Sequence, residues 1–210
     1  MTSILGATLA CVAMIAASSA SPASAQGIID EWSQATAPAP PKLERVTLDP
    51  ATTAMLVLDL AEQTCNAKSR PRCLAMLPLV AKLLELARAK KWTVVYTLGA
   101  ASLPKDILAP VAMLGEEPIV IGPPDKYIGT DLRRILKAKG IKTVVTVGAA
   151  AEGAVLHTAA TSAFRGFDVV VPLDGIASGS LYAEQYVAWD LVHAPRLADR
   201  VKLSAIGMIE

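Results

Sequence analysis

Short apolar runs alternate along the chain with longer stretches of helical length, and this alternation is the strongest constraint on the fold. The run at residues 54–58 is continuously apolar and ends at Asp59, which is typical of a buried strand. Similar runs predict five further strands, at residues 93–97, 118–121, 142–147, 168–171 and 201–209. Helices are predicted between them, at residues 78–91, 130–139, 152–165 and 181–193.

This order of elements predicts an α/β protein with a three-layer αβα architecture, a Rossmann-like open sheet of about six parallel strands. Ligands of such sheets bind beyond the carboxyl ends of the strands, so Asp59 is a candidate for the site. No Gly-x-Gly-x-x-Gly motif follows the first strand and no P-loop is found. A dinucleotide or nucleoside triphosphate would therefore lack its usual phosphate cradle.

The composition excludes several classes of protein. Hydrophobic residues make up 53% of the 210 residues, which is too many for a disordered chain. Lys and Arg number 20 against 19 Asp and Glu, so the chain lacks the basic surplus that is typical of a nucleic-acid-binding protein. No apolar run reaches the roughly 18 residues of a transmembrane helix.

The first 25 residues contain no charged and no aromatic side chain, and they end in Ala-Ser-Ala before Gln26. This pattern predicts a secretory signal peptide, although its start carries no Lys or Arg; the alternative is a buried N-terminal helix. An Ala/Pro-rich arm is predicted over residues 26–45 and a single domain over 46–210. We therefore expect a secreted or periplasmic protein with no membrane span after signal removal.

Export would change how the cysteines are interpreted. Cys11 would leave with the signal, so the mature chain would keep Cys65 and Cys73. In an oxidising compartment this close pair predicts a disulfide; the alternative is two free buried thiols. Seven residues separate them, not the two of a thioredoxin-like motif, so a redox role is disfavoured.

Several motifs, taken in order, resemble the isochorismatase-like hydrolases, also called the cysteine hydrolase superfamily. The resemblance covers roughly residues 53–178 and rests on order and spacing, because each motif alone is weak. The motifs are Leu-Val-Leu-Asp-Leu at 56–60, Gly-Thr-Asp-Leu at 129–132, Lys-Gly-Ile at 139–141, Val-Gly-Ala-Ala-Ala-Glu-Gly-Ala-Val at 147–155, Thr-Ala at 158–159, Arg-Gly-Phe at 165–167 and Asp-Gly-Ile-Ala-Ser at 174–178.

The resemblance implies an Asp that activates a thiol, a Lys that orients it and a Cys that attacks an amide-type carbon. Asp59 matches the Asp, but the position of the nucleophile is Ala154. Gly-Pro-Pro at 122–124 stands where the Lys is expected, and Lys126 follows a few residues later as a candidate. The resemblance also implies a small-molecule substrate, no cofactor, and substrate-binding positions at Ala150, Glu152, Gly153 and Tyr127.

A branch of the family lacks the Cys and hydrolyses isochorismate, a vinyl ether, with the Asp acting as an acid. This chain resembles that branch in its missing thiol, but it lacks a clear Lys, which that branch keeps. Glu152 has two interpretations: a charge favourable to a helix N-terminus, or a second carboxylate in the cleft that shares a proton with Asp59.

The histidines and the aromatic residues near the C-terminus do not indicate a specific site. His157 and His193 have no partner at ligand spacing and no Asp-x-His element is found, so no metal site is predicted. Tyr182, Tyr186 and Trp189 form a stripe at helical spacing, which is typical of packing in a core or between subunits rather than of a ligand cage. The stripe is compatible with a homo-oligomer.

Two hypotheses from different classes remain. In one, the chain is an exported, isochorismatase-like protein without the thiol mechanism, which binds a small molecule near Asp59 or serves a structural or partner role. In the other, it is an active, non-covalent hydrolase of a small C–O or C–N substrate that uses Asp59 as an acid or base, with Glu152 or Lys126. Pocket-lining loops rather than the fold determine the substrate, so the sequence does not identify it.

Overall fold

The computed structural model describes residues 27–210. The chain divides into two units between Pro38 and Ala39. In residues 27–38 the regular structure is one 3-10 turn, Trp32–Gln34. The second unit, residues 39–210, holds a seven-stranded sheet with the order β3-β2-β1-β4-β5-β7, in which β6 pairs with β4 and all pairs are parallel.

The strands and helices alternate, as the sequence predicts. The strands are β1 Thr53–Leu58, β2 Thr93–Leu98, β3 Ile119–Ile121, β4 Thr143–Ala149, β5 Asp168–Pro172, β6 Ile176–Ala177 and β7 Val201–Ser204. The helices are α1 Pro71–Ala89, α2 Leu132–Ala138, α3 Leu156–Phe164 and α4 Leu181–His193. The predicted αβα architecture is confirmed, with one short strand, β6, more than expected.

Both faces of the sheet are buried because side chains alternate along each strand. In β1, Leu56 and Leu58 face the core under α2, α3 and α4, while Met55 and Val57 face the core under α1. Such burial stabilises the fold by about 25 cal/mol for each Å² of apolar surface removed from water. The central strand can therefore carry an unbroken apolar run only because helices cover both of its faces.

Two predicted boundaries are wrong. Helix α1 begins at Pro71, about two turns before the predicted start at Pro78, and Pro78 lies inside the helix. Pro78 lacks an N–H group, but the buried stripe of α1 continues through it from Cys73 to Ala87, and this burial offsets the lost hydrogen bond. The strand predicted over 201–209 ends at Ser204, because β5 ends opposite it at Pro172, and a 3-10 turn follows.

Three smaller differences concern segments around the core. Residues 39–45, predicted as part of the arm, lie in the second unit, where the Glu44 N–H donates to the carbonyl of Leu203. The helix predicted over 152–165 begins as a π-helical turn, Ala151–Val155, before α3. The aromatic stripe of α4 (Tyr182, Tyr186 and Trp189) is exposed, with Tyr182 at 75% and Trp189 at 41%. The prediction that it packs in the core of this chain is therefore wrong, and packing between subunits stays a prediction.

A disulfide joins Cys65, in the loop after β1, to Cys73, in the first turn of α1. Both cysteines are buried. Next to it, Arg72 makes a two-pronged ion pair with Glu184 of α4 at 2.6–3.0 Å, and Glu184 also accepts the Ser178 N–H at 3.0 Å. The start of α1 is therefore fixed to the sheet end and to α4.

Gly148 allows β1 and β4 to approach closely at their carboxyl ends. It pairs with Leu58, and a Cβ placed on it would lie 2.0 Å from the Leu58 carbonyl oxygen. Its φ of +136° is also unfavourable for any residue with a side chain. This glycine holds the residue after β1, Asp59, beside the segment that follows β4.

We expect Gly148→Ala to lower the free energy of unfolding by roughly 3 kcal/mol, since it adds both backbone strain and a clash with backbone. Gly140→Ala is the matched control: Gly140 also has a positive φ, +65°, but a Cβ there meets nothing within 4 Å. Urea unfolding measures both variants. Equal losses in the two variants would contradict the role assigned to the close approach.

The disulfide should protect Cys65 and Cys73 from iodoacetamide until a reductant is added, as read by peptide mass spectrometry. Closing a loop of this length stabilises the fold by about 2–3 kcal/mol in the chain-entropy model, so the Cys65→Ala/Cys73→Ala variant should lose that much in urea unfolding. Alkylation of both positions before reduction would show that the bond is absent and would weaken the expectation of export.

Candidate functional site

The candidate site lies where the carboxyl ends of β1, β2 and β3 meet. Asp59 directly follows β1 and adopts a left-handed backbone conformation, with φ of +54°. Its N–H donates to the carbonyl of Thr97, near the end of β2, at 3.2 Å. Asp59 thus leaves the strand at a sharp angle, and the residue is 8% exposed at the carboxyl-end edge of the sheet.

Both oxygens of the Asp59 carboxylate are engaged. The Thr97 hydroxyl donates to Oδ1 at 2.6 Å, and Nζ of Lys126 lies 2.8 Å from Oδ2. The ion pair is buried, because the side chain of Lys126 is 1% exposed and that of Asp59 11%. Each charge compensates for the cost of removing the other from water.

Lys126 uses all three N–H groups of its ammonium. Besides Asp59, Nζ donates to the carbonyl of Leu98 at 3.2 Å and to the carbonyl of Gly122 at 3.1 Å. A buried ammonium needs such partners, because an unpaired one would be strongly destabilising. The lysine therefore bridges β1, the end of β2 and the segment after β3.

The loop that carries Lys126 is fixed to α3. The Lys126 N–H donates to the Thr158 hydroxyl at 3.2 Å, and that hydroxyl donates to the Pro124 carbonyl at 3.1 Å. The Thr130 hydroxyl also donates to the carbonyl of Lys126. These contacts bring Lys126 back toward Asp59, although it lies several residues after β3.

A cavity of about 450 Å³ opens onto the ion pair. Apart from Asp59 and Lys126, its lining consists of small or apolar residues, Gly99, Ala100, Gly122, Pro123 and Pro124. Its polarity therefore comes from one carboxylate–ammonium pair and from exposed backbone. Such a cavity is large enough for a small organic molecule.

Position 154 carries only a methyl group. Ala154 lies in the π-helical turn before α3, is 3% exposed and is not among the residues that line the cavity. A cis peptide bond joins Ala149 and Ala150 at the start of this segment. No atom of the Ala154 side chain can act as a nucleophile.

None of the predicted substrate-binding residues lines the cavity. Ala150, Glu152, Gly153 and Tyr127 are not among the cavity-lining residues. Glu152 is exposed, in the first turn of the helical segment. Their role in binding a substrate stays a prediction.

Tyr127 is a core residue in its present position. Its hydroxyl is 2.9 Å from the Ser162 hydroxyl, its ring stacks on Phe167, and the Arg165 guanidinium lies over it at 4.9 Å. Burial raises the pKa of Tyr127 to about 12, so the hydroxyl stays neutral at physiological pH. These contacts explain its burial without a ligand.

Sequence analysis gave no role to Thr97 or to the two carbonyls that bind Lys126. Thr97 is a polar residue at the end of the predicted strand 93–97, beside the end of the Asp59 strand, and that position was the available signal. The carbonyls of Leu98 and Gly122 leave no trace in residue type. Asp59 and Lys126, in contrast, were both candidates.

Neither a metal site nor a membrane-spanning helix is found in residues 27–210. No group of three or more His, Cys, Asp or Glu side chains is close enough there to hold a metal ion. His193 is engaged locally, with Nδ1 2.7 Å from the Trp189 carbonyl and its ring stacked on that indole. No helix in that part of the chain is both long and apolar enough to cross a membrane.

Solved structures of the same fold come from several bacteria and an archaeon. An isochorismatase family protein from Desulfovibrio vulgaris superposes with a TM-score of 0.67 at 16% identity, covering 74% of this chain and 95% of that one. An isochorismatase-like hydrolase from Alkaliphilus metalliredigens gives 0.65 at 24% identity, over 76% and 94%. N-carbamoylsarcosine amidase from Thermoplasma acidophilum gives 0.64 at 19%, over 74% and 96%.

Sequence comparison identifies the family directly. An uncharacterized isochorismatase family protein of Bacillus subtilis, YrdC, is 32% identical over 110 residues, which are 47% of this chain and 59% of that protein. The match therefore spans less than two thirds of this relative. The family model described as the isochorismatase domain matches residues 53–198, most of the chain. This chain belongs to the isochorismatase family.

Proposed function

We propose that this chain is an exported family member that binds a small molecule in the cavity at Asp59 and Lys126, without a covalent step at position 154. The observation that carries the proposal is the buried Asp59–Lys126 pair at the cavity, together with the methyl group of Ala154. The pair supplies a polar anchor, and a methyl group cannot attack a substrate.

The lining of the cavity supports binding of a small ligand. Each carboxylate oxygen of Asp59 can accept more than one hydrogen bond, so the carboxylate can still accept one from a ligand. The ammonium of Lys126 already has three acceptors. Apolar contact with the proline and alanine side chains would add to the affinity as water leaves the cavity.

Export is supported by the N-terminal sequence and by the disulfide. The apolar N-terminal segment that ends in Ala-Ser-Ala supports a secretory signal peptide, although its start carries no Lys or Arg. A bond between Cys65 and Cys73 persists in an oxidising compartment. We therefore include a secreted or periplasmic location in the proposal.

The second candidate function is a non-covalent hydrolase. The observation that favours it is the contact between Asp59 and Lys126, because the family resemblance implies an Asp and a Lys for hydrolysis without a thiol, and Lys126 is the candidate for that Lys. Asp59 would transfer a proton to or from a bound substrate or water, and Lys126 would stabilise the charge that develops. The relatives include a protein named N-carbamoylsarcosine amidase, which makes carbamoyl compounds one class to test.

A ligand panel separates the two functions. Small amides, carbamoyl compounds and vinyl ethers are tested for an increase in melting temperature and for product formation. We expect one class to raise the melting temperature without turnover, since a ligand at 100 times its Kd stabilises by about 2.7 kcal/mol. Asp59→Asn should lose this shift.

Asp131→Asn is the matched control, because Asp131 is an exposed carboxylate paired with Arg134 and does not line the cavity. It should keep the wild-type response. Product formation that disappears in Asp59→Asn would instead support the hydrolase. If no compound class raises the melting temperature and none yields a product, both functions are contradicted.

Restoring a thiol tests whether the cleft still resembles that of the thiol-dependent relatives. In Ala154→Cys we expect a thiol pKa below the usual value of about 8.5, since the thiol would lie in the first turn of a helical segment and, if the cleft keeps the arrangement that the family resemblance implies, beside the Asp59–Lys126 pair. The pH dependence of iodoacetamide alkylation measures it. Ala112→Cys, at an exposed loop position, is the control, and equal reactivity of the two thiols would show that the cleft does not activate a nucleophile.

A further inference from the structure

We propose that Thr97 is a positioning residue of this cleft, which holds the Asp59 carboxylate in the orientation that faces Lys126. The inference deepens the proposed function and rests on it, because it concerns the same site. Thr97 contacts Asp59 twice: its carbonyl accepts the Asp59 N–H at 3.2 Å and its hydroxyl donates to Oδ1 at 2.6 Å. One residue thereby fixes both the backbone and the side chain of Asp59.

Asp59 needs such support because it lies beyond the end of β1. Its left-handed backbone takes it out of the strand conformation. A free carboxylate at this point could turn about its side-chain bonds, and both oxygens could approach the lysine. With Oδ1 bound to the Thr97 hydroxyl, Oδ2 is the oxygen that meets Lys126 at 2.8 Å. The hydroxyl therefore holds the carboxylate in an orientation in which one oxygen is occupied by Thr97 and the other faces Lys126.

A purely structural role would not require a hydroxyl at position 97. Thr97 is 1% exposed in a strand whose other buried members are mostly apolar, and valine has nearly the same shape. Thr146 of β4 shows the contrast within the same sheet. It is fully buried, and its hydroxyl has no hydrogen-bond partner in the described part of the chain. Thr146 fills space, whereas Thr97 also donates to a charged group.

The test uses Ala154→Cys as the parent protein, with Thr97→Val, Thr97→Ser and Thr146→Val added singly. The first readout is the alkylation rate of the introduced thiol, followed in the tryptic peptide of residues 143–165. The second is the rate at which an amine-reactive acetylating reagent modifies Lys126. Melting temperatures show whether each variant is folded.

We expect Thr97→Val to slow alkylation about tenfold, the size of effect that follows from losing a hydrogen bond to a charged group. It should also speed acetylation of Lys126, because the ion pair is held less firmly. Thr97→Ser should restore both rates, and Thr146→Val should change neither. If Thr97→Val does not fold, Thr97→Cys, of similar volume and with only a weak donor, replaces it.

The two proposals fail in different ways. If the thiol of the parent protein reacts like a free thiol, the cleft does not activate a nucleophile at position 154, and Lys126 acetylation alone then decides the role of Thr97. The proposed function fails separately, when no ligand class raises the melting temperature or gives a product. Unchanged acetylation in Thr97→Val overturns the inference about Thr97. So does failure of Thr97→Ser to restore the rates, or an equal effect of Thr146→Val, which would indicate a general response of the sheet.

Discussion

The buried ion pair between Asp59 and Lys126 is the interaction on which the site depends. Removing a buried charge from its partner destabilises a protein by about 3–5 kcal/mol, because the other charge remains uncompensated. The two carbonyls that complete the lysine's contacts belong to Leu98 and Gly122, so the ends of β2 and β3 must lie beside the end of β1. The pair therefore fixes three strand ends as one unit.

The structural role of the pair is independent of catalysis. The charges of Asp59 and Lys126 compensate each other whatever stands at position 154. A chain in which Ala154 had replaced a cysteine would still need the pair to keep these strand ends together. The pair is thus required for structure first, and its presence is compatible both with a binding protein and with a hydrolase that works without a thiol.

The sequence predicted the sheet and half of the site for a physical reason. A continuous apolar run that ends at Asp59 places that carboxylate at the ligand-binding edge of a parallel sheet, so position alone identified it. Lys126 was only one candidate for the partner of Asp59, because the pairing depends on hydrogen bonds that bring the loop back to α3, such as that between Lys126 and Thr158. The start of α1 was misplaced for a similar reason, since burial continues through Pro78 against its local preference.

The segment that follows Asp59 is held in place before any ligand binds. Leu60 and Ala61 pair with the segment at Ile107 and Leu108, and the Glu62 N–H donates to the Asp106 carbonyl at 3.0 Å. Side chains add to this link: Gln63 donates to the Asp106 carboxylate and accepts from the buried Ser102 hydroxyl. The disulfide then holds the far end of the same loop. A ligand that enters the cavity therefore has little chain left to order on this side, and the entropy cost that usually opposes binding is correspondingly small.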